Sequence, residues 1–235
     1  MSKKNILKVV FIRHGESVRN KYCPWPFLPD NQDIVDIIGH FSDRDTPLSE
    51  EGFSQARKTG TALRRKFGVP DMVFHSGYLR TRQTAEEILL AYKTEEKMKV
   101  SLIQEDFLRE RAVGYVYNMR ESEARKYFPW VKKYRELFSD MDFCPPGGES
   151  LSQVIDRLRI FVDNLKKIDV KGKRTIFVVS HGRAIQCAMY NLLGCDFDKV
   201  FNHPLGPIKN CGVTVFERRD RSDFFLEKYN ILFWK

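Results

Sequence analysis

The chain has five cysteines in 235 residues, Cys23, Cys144, Cys187, Cys195 and Cys211, and none stand in a C-x-x-C spacing. The odd count and the missing pairs exclude a zinc ribbon and a disulfide-stapled secreted scaffold, so these residues read as reduced thiols. No His-Glu-x-x-His or clustered-Asp pattern is present, and no bound metal is expected. No apolar run approaches the roughly 18 to 20 residues that a membrane-crossing helix requires. The basic amino terminus leads into an apolar run interrupted by Lys8 and followed by Arg13-His14, without the small-residue cleavage pattern of a signal peptide. A cytoplasmic protein with no membrane partner is the expectation. Repeats, low-complexity tracts and blocks of five or more like charges are also missing. The formal net charge of +9, from 40 Lys plus Arg against 31 Asp plus Glu, is therefore scattered. It reads as a solvated basic surface suited to small anions, and no nucleic-acid partner is expected.

What is present is an alternation of strand and helix patterns. Leu7 to Ile12 and Thr175 to Val179 are short, β-branched and aromatic, as parallel strands buried on both faces are. Each is followed at once by a histidine, in Arg13-His14-Gly15-Glu16-Ser17 and in Ser180-His181-Gly182-Arg183. Ligands of open α/β sheets bind outside the carboxyl ends of strands. A guanidinium beside two imidazoles at such a place suits a phosphate group, because Arg offers forked fixed-charge donors and neutral imidazole is a nucleophile.

Arg-His-Gly-Glu-Ser near the amino terminus resembles the hallmark of the histidine phosphatase superfamily, which includes the cofactor-dependent phosphoglycerate mutases. Further segments resemble that family in the same order: Asp45-Thr46-Pro47-Leu48-Ser49-Glu50-Glu51-Gly52, Ser76 to Ala85 with Arg80 and Arg82, Leu108-Arg109-Glu110-Arg111, and Pro146-Gly147-Gly148-Glu149-Ser150. The resemblance runs from about Val9 to about Val215. With the strand and helix alternation and a length that suits one domain, it argues a single domain over residues 1–235 and a three-layer αβα sandwich with a mainly parallel central sheet; the amphipathic helical pattern at about 120–144 reads as a small inserted cap.

Local signals agree with that architecture. Ser49 and Ser150 read as N-caps, Glu50 and Glu51 suit a helix start, and Gly68 and Gly194 read as helix stops. A helix from about Tyr78 to Lys93 places Arg80 in its first turn. The helix after Ser150 should turn Leu151, Val154, Ile155, Leu158, Phe161, Val162 and Leu165 to the core. Short strands are expected at Met72 to Phe74 and Lys99 to Ile103, and closing strands at Val213 to Phe216 and Phe224 to Phe233, the last at an edge. Residues 18–45, with Pro24-Trp25-Pro26 and a helical turn at Asp33 to Ile38, form a connection long enough to cover a site. In the cap, Ala124, Tyr127, Phe128, Val131, Tyr134, Leu137, Phe138 and Met141 form an apolar stripe broken by Pro129, which reads as packing.

The resemblance implies that His14 is a nucleophile forming a phosphohistidine, and that Glu110 is the proton donor and later the base for water. Arg13, Arg80 and His181 would clamp the phosphoryl oxygens. Asn20, six residues beyond His14, matches a family position that binds phosphate. The amides of Gly15 and Gly182 would approach the same group, with Glu16 and Ser17 orienting the loop. His40, His75 and His203 fall outside the pattern. No cofactor is implied, the partner is a small phosphorylated substrate, and a homodimer is an allowed assembly. The mutases follow the Glu110 segment with His-Tyr-Gly and carry Asn after the second His-Gly; here Ala112-Val113-Gly114 and Arg183 stand instead. A phosphomonoester hydrolase is therefore expected ahead of a phosphoglycerate mutase, and a catalytically idle binding protein ranks last.

Overall fold

Eight residues, Ile6–Arg13, form strand β1, and their alternation divides the molecule into its two cores. Leu7, Val9 and Phe11 point to one face of the sheet, Val10 and Ile12 to the other, and all five are fully buried. The structure, a computed structural model, describes residues 5–23 and 27–235; Pro24-Trp25-Pro26 lies outside the described residues.

After β1 come two short helices, α1 (Val18–Tyr22) and α2 (Gln32–Ile38), then α3 (Glu50–Phe67), β2 (Met72–His75), α4 (Leu79–Leu89), α5 (Thr94–Lys97) and β3 (Ser101–Gln104). Two 3-10 turns, Asp106–Leu108 and Gly114–Asn118, lead to α6 (Glu121–Tyr127) and α7 (Val131–Glu136). The chain continues through α8 (Leu151–Lys167), β4 (Lys173–Ser180), α9 (Gly182–Leu193) and α10 (Phe197–Phe201), and closes with β5 (Val213–Arg219) and β6 (Phe225–Ile231). The six strands lie in the order β3-β2-β4-β1-β5-β6. The first three neighbouring pairs are parallel, and β5 and β6 run antiparallel as an edge hairpin. Helices α8 and α9 cover one face, where Val154, Leu158, Ile185 and Ala188 meet Leu7, Val9 and Phe11. Helices α3 and α4 cover the other, where Leu63, Ala85 and Ile88 meet Val10 and Ile12. This is the three-layer αβα sandwich with a mainly parallel sheet. No helix of the described residues is long and apolar enough to cross a membrane.

The capping signals act as their chemistry dictates. Ser49 Oγ accepts from the Gly52 amide, and Ser150 forms a capping box with Gln153. Gly194 ends α9 in the left-handed conformation at φ 57°. All seven residues assigned to the core face of α8 are buried.

Two expectations need correction. Helix α4 stops at Leu89, four residues short of Lys93, because Leu90 is already a C-cap and the chain turns toward α5. The apolar stripe of the cap is not a core face. Pro129 splits it into α6 and α7, Ala124 is buried, but Tyr127 is 62% exposed, Trp130 51% and Leu137 75%. Helices of seven and six residues are too short to bring a whole stripe against one surface.

Candidate active site

Register builds the site. Arg13 of β1 pairs with Ser180 of β4, and the His14 amide donates to the Ser180 carbonyl at 2.9 Å. The residues one step beyond the paired strands are thus His14 and His181, whose ring centroids stand 5.2 Å apart, edge to face. Strand β2, on the far side of β4, ends at His75, and the hydroxyl of the next residue, Ser76, lies 2.8 Å from His181 Nε2.

Each imidazole has its tautomer set by a neighbour. His14 Nδ1 lies 2.7 Å from the Gly15 carbonyl, which only accepts, so Nδ1 carries the proton and Nε2 keeps its lone pair. The His181 assignment runs through three hydroxyl contacts. Thr81 Oγ1 donates to the Tyr78 carbonyl at 2.8 Å, so it accepts from the Ser76 hydroxyl at 2.9 Å, and Ser76 Oγ in turn accepts from His181 Nε2–H. His181 Nδ1 is therefore unprotonated, and it is buried without a hydrogen-bond partner among the described residues. Burial first, then the Arg80 and Arg13 charges, hold His14 well below the ordinary imidazole value of 6.5. Burial, Arg80, His14 and Arg13 do the same to His181. Both rings are neutral at pH 7.

A cavity of about 550 Å³ opens over these strand ends, within the size range of small-molecule sites. Arg13, His14, Asn20, Arg80 and Glu110 line it; His181 is not among the lining residues and reaches the site through its edge-to-face contact with His14. Arg13 Nη1 is held by the Ile208 carbonyl at 2.7 Å, while its buried Nε has no partner. The Glu110 carboxylate accepts from the amides of Arg111 at 2.9 Å and of Ala184, in the first turn of α9, at 3.3 Å. Its flanking arginines turn elsewhere: Arg109 pairs with Glu149 at 2.8 Å, and Arg111 donates to the Glu149 and Phe143 carbonyls. The Asn20 amide oxygen accepts from Asn210 Nδ2 at 3.1 Å, so its NH2 is the group left for the cavity.

The two glycines behave differently. Gly15 donates its amide to Thr84 Oγ1 at 3.0 Å, so the expectation that this N–H meets a ligand is corrected. Its missing side chain serves packing instead, because a Cβ would stand 2.5 Å from the Gly52 carbonyl oxygen. Gly182, the first residue of α9, has an N–H with no acceptor inside the helix, and it is not among the residues that line the cavity. Glu16 and Ser17 hold the loop: Ser49 Oγ donates to Glu16 Oε1 at 2.7 Å, and Ser17 caps α1.

Arg80 carries the main surprise. Its guanidinium is already engaged by Asp43, through Nη1 to the Asp43 carbonyl and Nη2 to Oδ1 at 2.9 Å. The nearby Glu86 and Glu87 pair with Arg82 and Arg57 instead. Asp43, Ser76, Asn210 and Glu149 were not singled out from sequence. Asn210 bridges the His14 carbonyl and Asn20. The usable signal was topological, since an antiparallel β5 brings its start to the ligand-binding edge. Glu149 joins Arg157, Arg109 and the Ala112 amide. Burial pushes its carboxyl up, but these partners outweigh it and hold it below the usual range. His40, His75 and His203 do not line the cavity; His203 stacks on Tyr229 and His75 accepts from the Gly77 amide.

The profile of the histidine phosphatase superfamily (branch 1) matches residues 9–231, and the chain belongs to that family. Among curated relatives, the 2,3-bisphosphoglycerate-dependent phosphoglycerate mutase of Azorhizobium caulinodans is 26% identical over 227 residues, 90% of this chain and 97% of that protein. The phosphoglycerate mutase of Schizosaccharomyces pombe is 24% identical over 225 residues, 94% and 93% of the two chains. Among solved structures, YhfR of Bacillus stearothermophilus superposes with a TM-score of 0.72 at 19% identity, covering 97% of this chain and 100% of that one. The mycobacterial glucosyl-3-phosphoglycerate phosphatase does so at 0.66 and 22%, covering 95% and 98%. The family is enzymatic and holds both phosphatases and mutases.

Proposed function

We propose that the chain is a phosphomonoester hydrolase that works through a phosphohistidine. The observation that carries this reading is His14: buried and neutral, with Nδ1–H tied to the Gly15 carbonyl and the Nε2 lone pair left free, in the cavity with Arg13 and Arg80 and in ring contact with His181. Nε2 attacks phosphorus, and the bond from phosphorus to the ester oxygen breaks with its electron pair on that oxygen. Glu110 supplies the proton that completes the alcohol. Water then attacks the phosphohistidine, Glu110 takes a proton from it, and the N–P bond breaks to return neutral His14 and inorganic phosphate. Arg13, Arg80, Asn20, the Gly182 amide and, once protonated, His181 hold the equatorial oxygens, supplying the electrostatic stabilisation on which phosphoryl transfer depends. No metal is assigned a part in these steps, and no priming bisphosphate is needed because water empties His14 at every turnover.

The mutase reading is kept because the curated relatives above carry that name. Hydrolysis is favoured by Arg183 and by Ala112-Val113-Gly114, which replace residues found in the mutases. Incubation with an aryl phosphate and with phosphoglycerates separates the two. Release of phosphate from the aryl ester without added bisphosphoglycerate supports the hydrolase; isomerisation that depends on that compound supports the mutase.

A further inference from the structure

The cavity wall beyond the phosphoryl site carries positive charge that the steps above do not use. Seven cationic side chains line the cavity, Arg13, Arg19, Arg80, Arg111, Lys132, Arg135 and Arg183, against three acids, Asp43, Glu110 and Asp140. The acids are unevenly placed. Asp43 is bound to Arg80, and Asp140 meets Arg135 at 3.4 Å. Among the described residues no carboxylate pairs with Arg111, Arg183 or Lys132.

Arg183 is the most anomalous of them. It sits in the first turn of α9, at the positive end of a twelve-residue helix whose first turn holds no acid. A cation there works against the helix dipole. Its side-chain partner is the neutral amide oxygen of Gln186 at 3.0 Å. Arg111, fixed by two carbonyls, feels it: after burial, Arg183 is the largest influence pushing that guanidinium below its ordinary value, and Arg135 adds to it. Arg111 and Arg183 are thus two like charges close to one another on the cavity wall, neither paired with a carboxylate, and their repulsion falls when an anion enters. The surrounding wall is apolar, with Val131, Phe143 and Phe201, so an anion placed there is poorly hydrated and strongly held.

We infer that the substrate of this site carries a second anionic group, a carboxylate or a second phosphate, on the leaving-group side of the scissile ester, and that Arg183 selects for it. This rests on the phosphate-ester reading of the same cavity. Arg183 touches neither His14 nor the phosphoryl ligands in the hydrogen-bond pattern, so it sets specificity and leaves the chemical step to the others.

The test uses short alkyl phosphates that end in methyl, in carboxylate or in a second phosphate. Each is assayed for hydrolysis and titrated calorimetrically with the native chain and with Arg183→Gln. The native protein should favour an anionic tail over methyl by about tenfold or more, the scale of one charge-assisted hydrogen bond. Arg183→Gln should lose most of that preference while its rate on the methyl compound changes less than about twofold, with a melting temperature that is equal to the native value or higher. The anionic tail that loses more identifies the group. No preference in the native protein, or one that survives Arg183→Gln, overturns the inference. Absence of turnover, with the same binding preference present and lost in the variant, removes the hydrolase reading and leaves the inference standing.

Discussion

Ser76 Oγ lies 2.8 Å from His181 Nε2, and through the Thr81 hydroxyl and Tyr78 carbonyl it leaves His181 Nδ1 without a proton. A bare Nδ1 cannot donate to a phosphate oxygen. Binding of a dianion should therefore bring a proton onto His181, against the opposing charges of Arg80 and Arg13 and with His14, Tyr78 and Arg157 also facing the ring. Sulfate, which brings no proton at neutral pH, isolates this step. Calorimetry in buffers of different ionisation enthalpy should show uptake of about one proton, retained in His14→Gln, lost in His181→Gln and reduced in Ser76→Ala. Binding without uptake would mean that His181 is not the clamp.

Asp43 holds Arg80, and its carboxylate is a like charge beside any bound phosphate. Asp43→Asn keeps an oxygen acceptor for Nη2 and removes the charge. Vanadate inhibition should tighten by about three- to tenfold. Weaker inhibition would show instead that the charge is needed to place Arg80.

The depressed histidines also set a stability profile. For His14 and His181 the folded value lies well below the unfolded 6.5, so the unfolded chain binds more protons in acid. Their contribution is complete above pH 6.5 and is lost as pH falls below it toward the folded value. The slope is up to about 1.4 kcal/mol per pH unit for each histidine. Urea midpoints should fall between about pH 6.5 and pH 5, before the carboxylates titrate, and His181→Gln should flatten the decline. A flat profile in the native chain would contradict the buried neutral pair.

Gly52 packs α3 against the loop that follows His14. A Cβ there would stand 2.0 Å from the Glu16 carbonyl oxygen, backbone against backbone, with no side chain able to yield. Gly52→Ala should cost about 1–3 kcal/mol by overpacking and slow turnover by shifting His14. Unchanged thermal stability and rate would mean that the loop accommodates the methyl freely.

Much of this molecule was legible from residue order. The apolar spacing of α8, the runs of β1 and β4, and the Ser49 and Ser150 caps are local, and each was read from its own segment. The two histidines were legible because both follow buried strands. Asp43, Ser76 and Asn210 were not, because their roles exist only once β2, β4 and β5 are laid side by side. The cap misled for a related reason. Periodicity shows that a helix has an apolar face, but Tyr127 and Leu137 show that it does not say whether anything covers that face.

The central claim is that His14 takes the phosphoryl group. Radiolabelled phosphomonoester is mixed with the protein and quenched in denaturant within the first turnover, and the trapped label is characterised. The trapped phosphate should be labile in acid and stable in base, carried on the His14 peptide and missing from a folded His14→Gln protein. Turnover at the native rate in His14→Gln, or label found on a different residue, would contradict it.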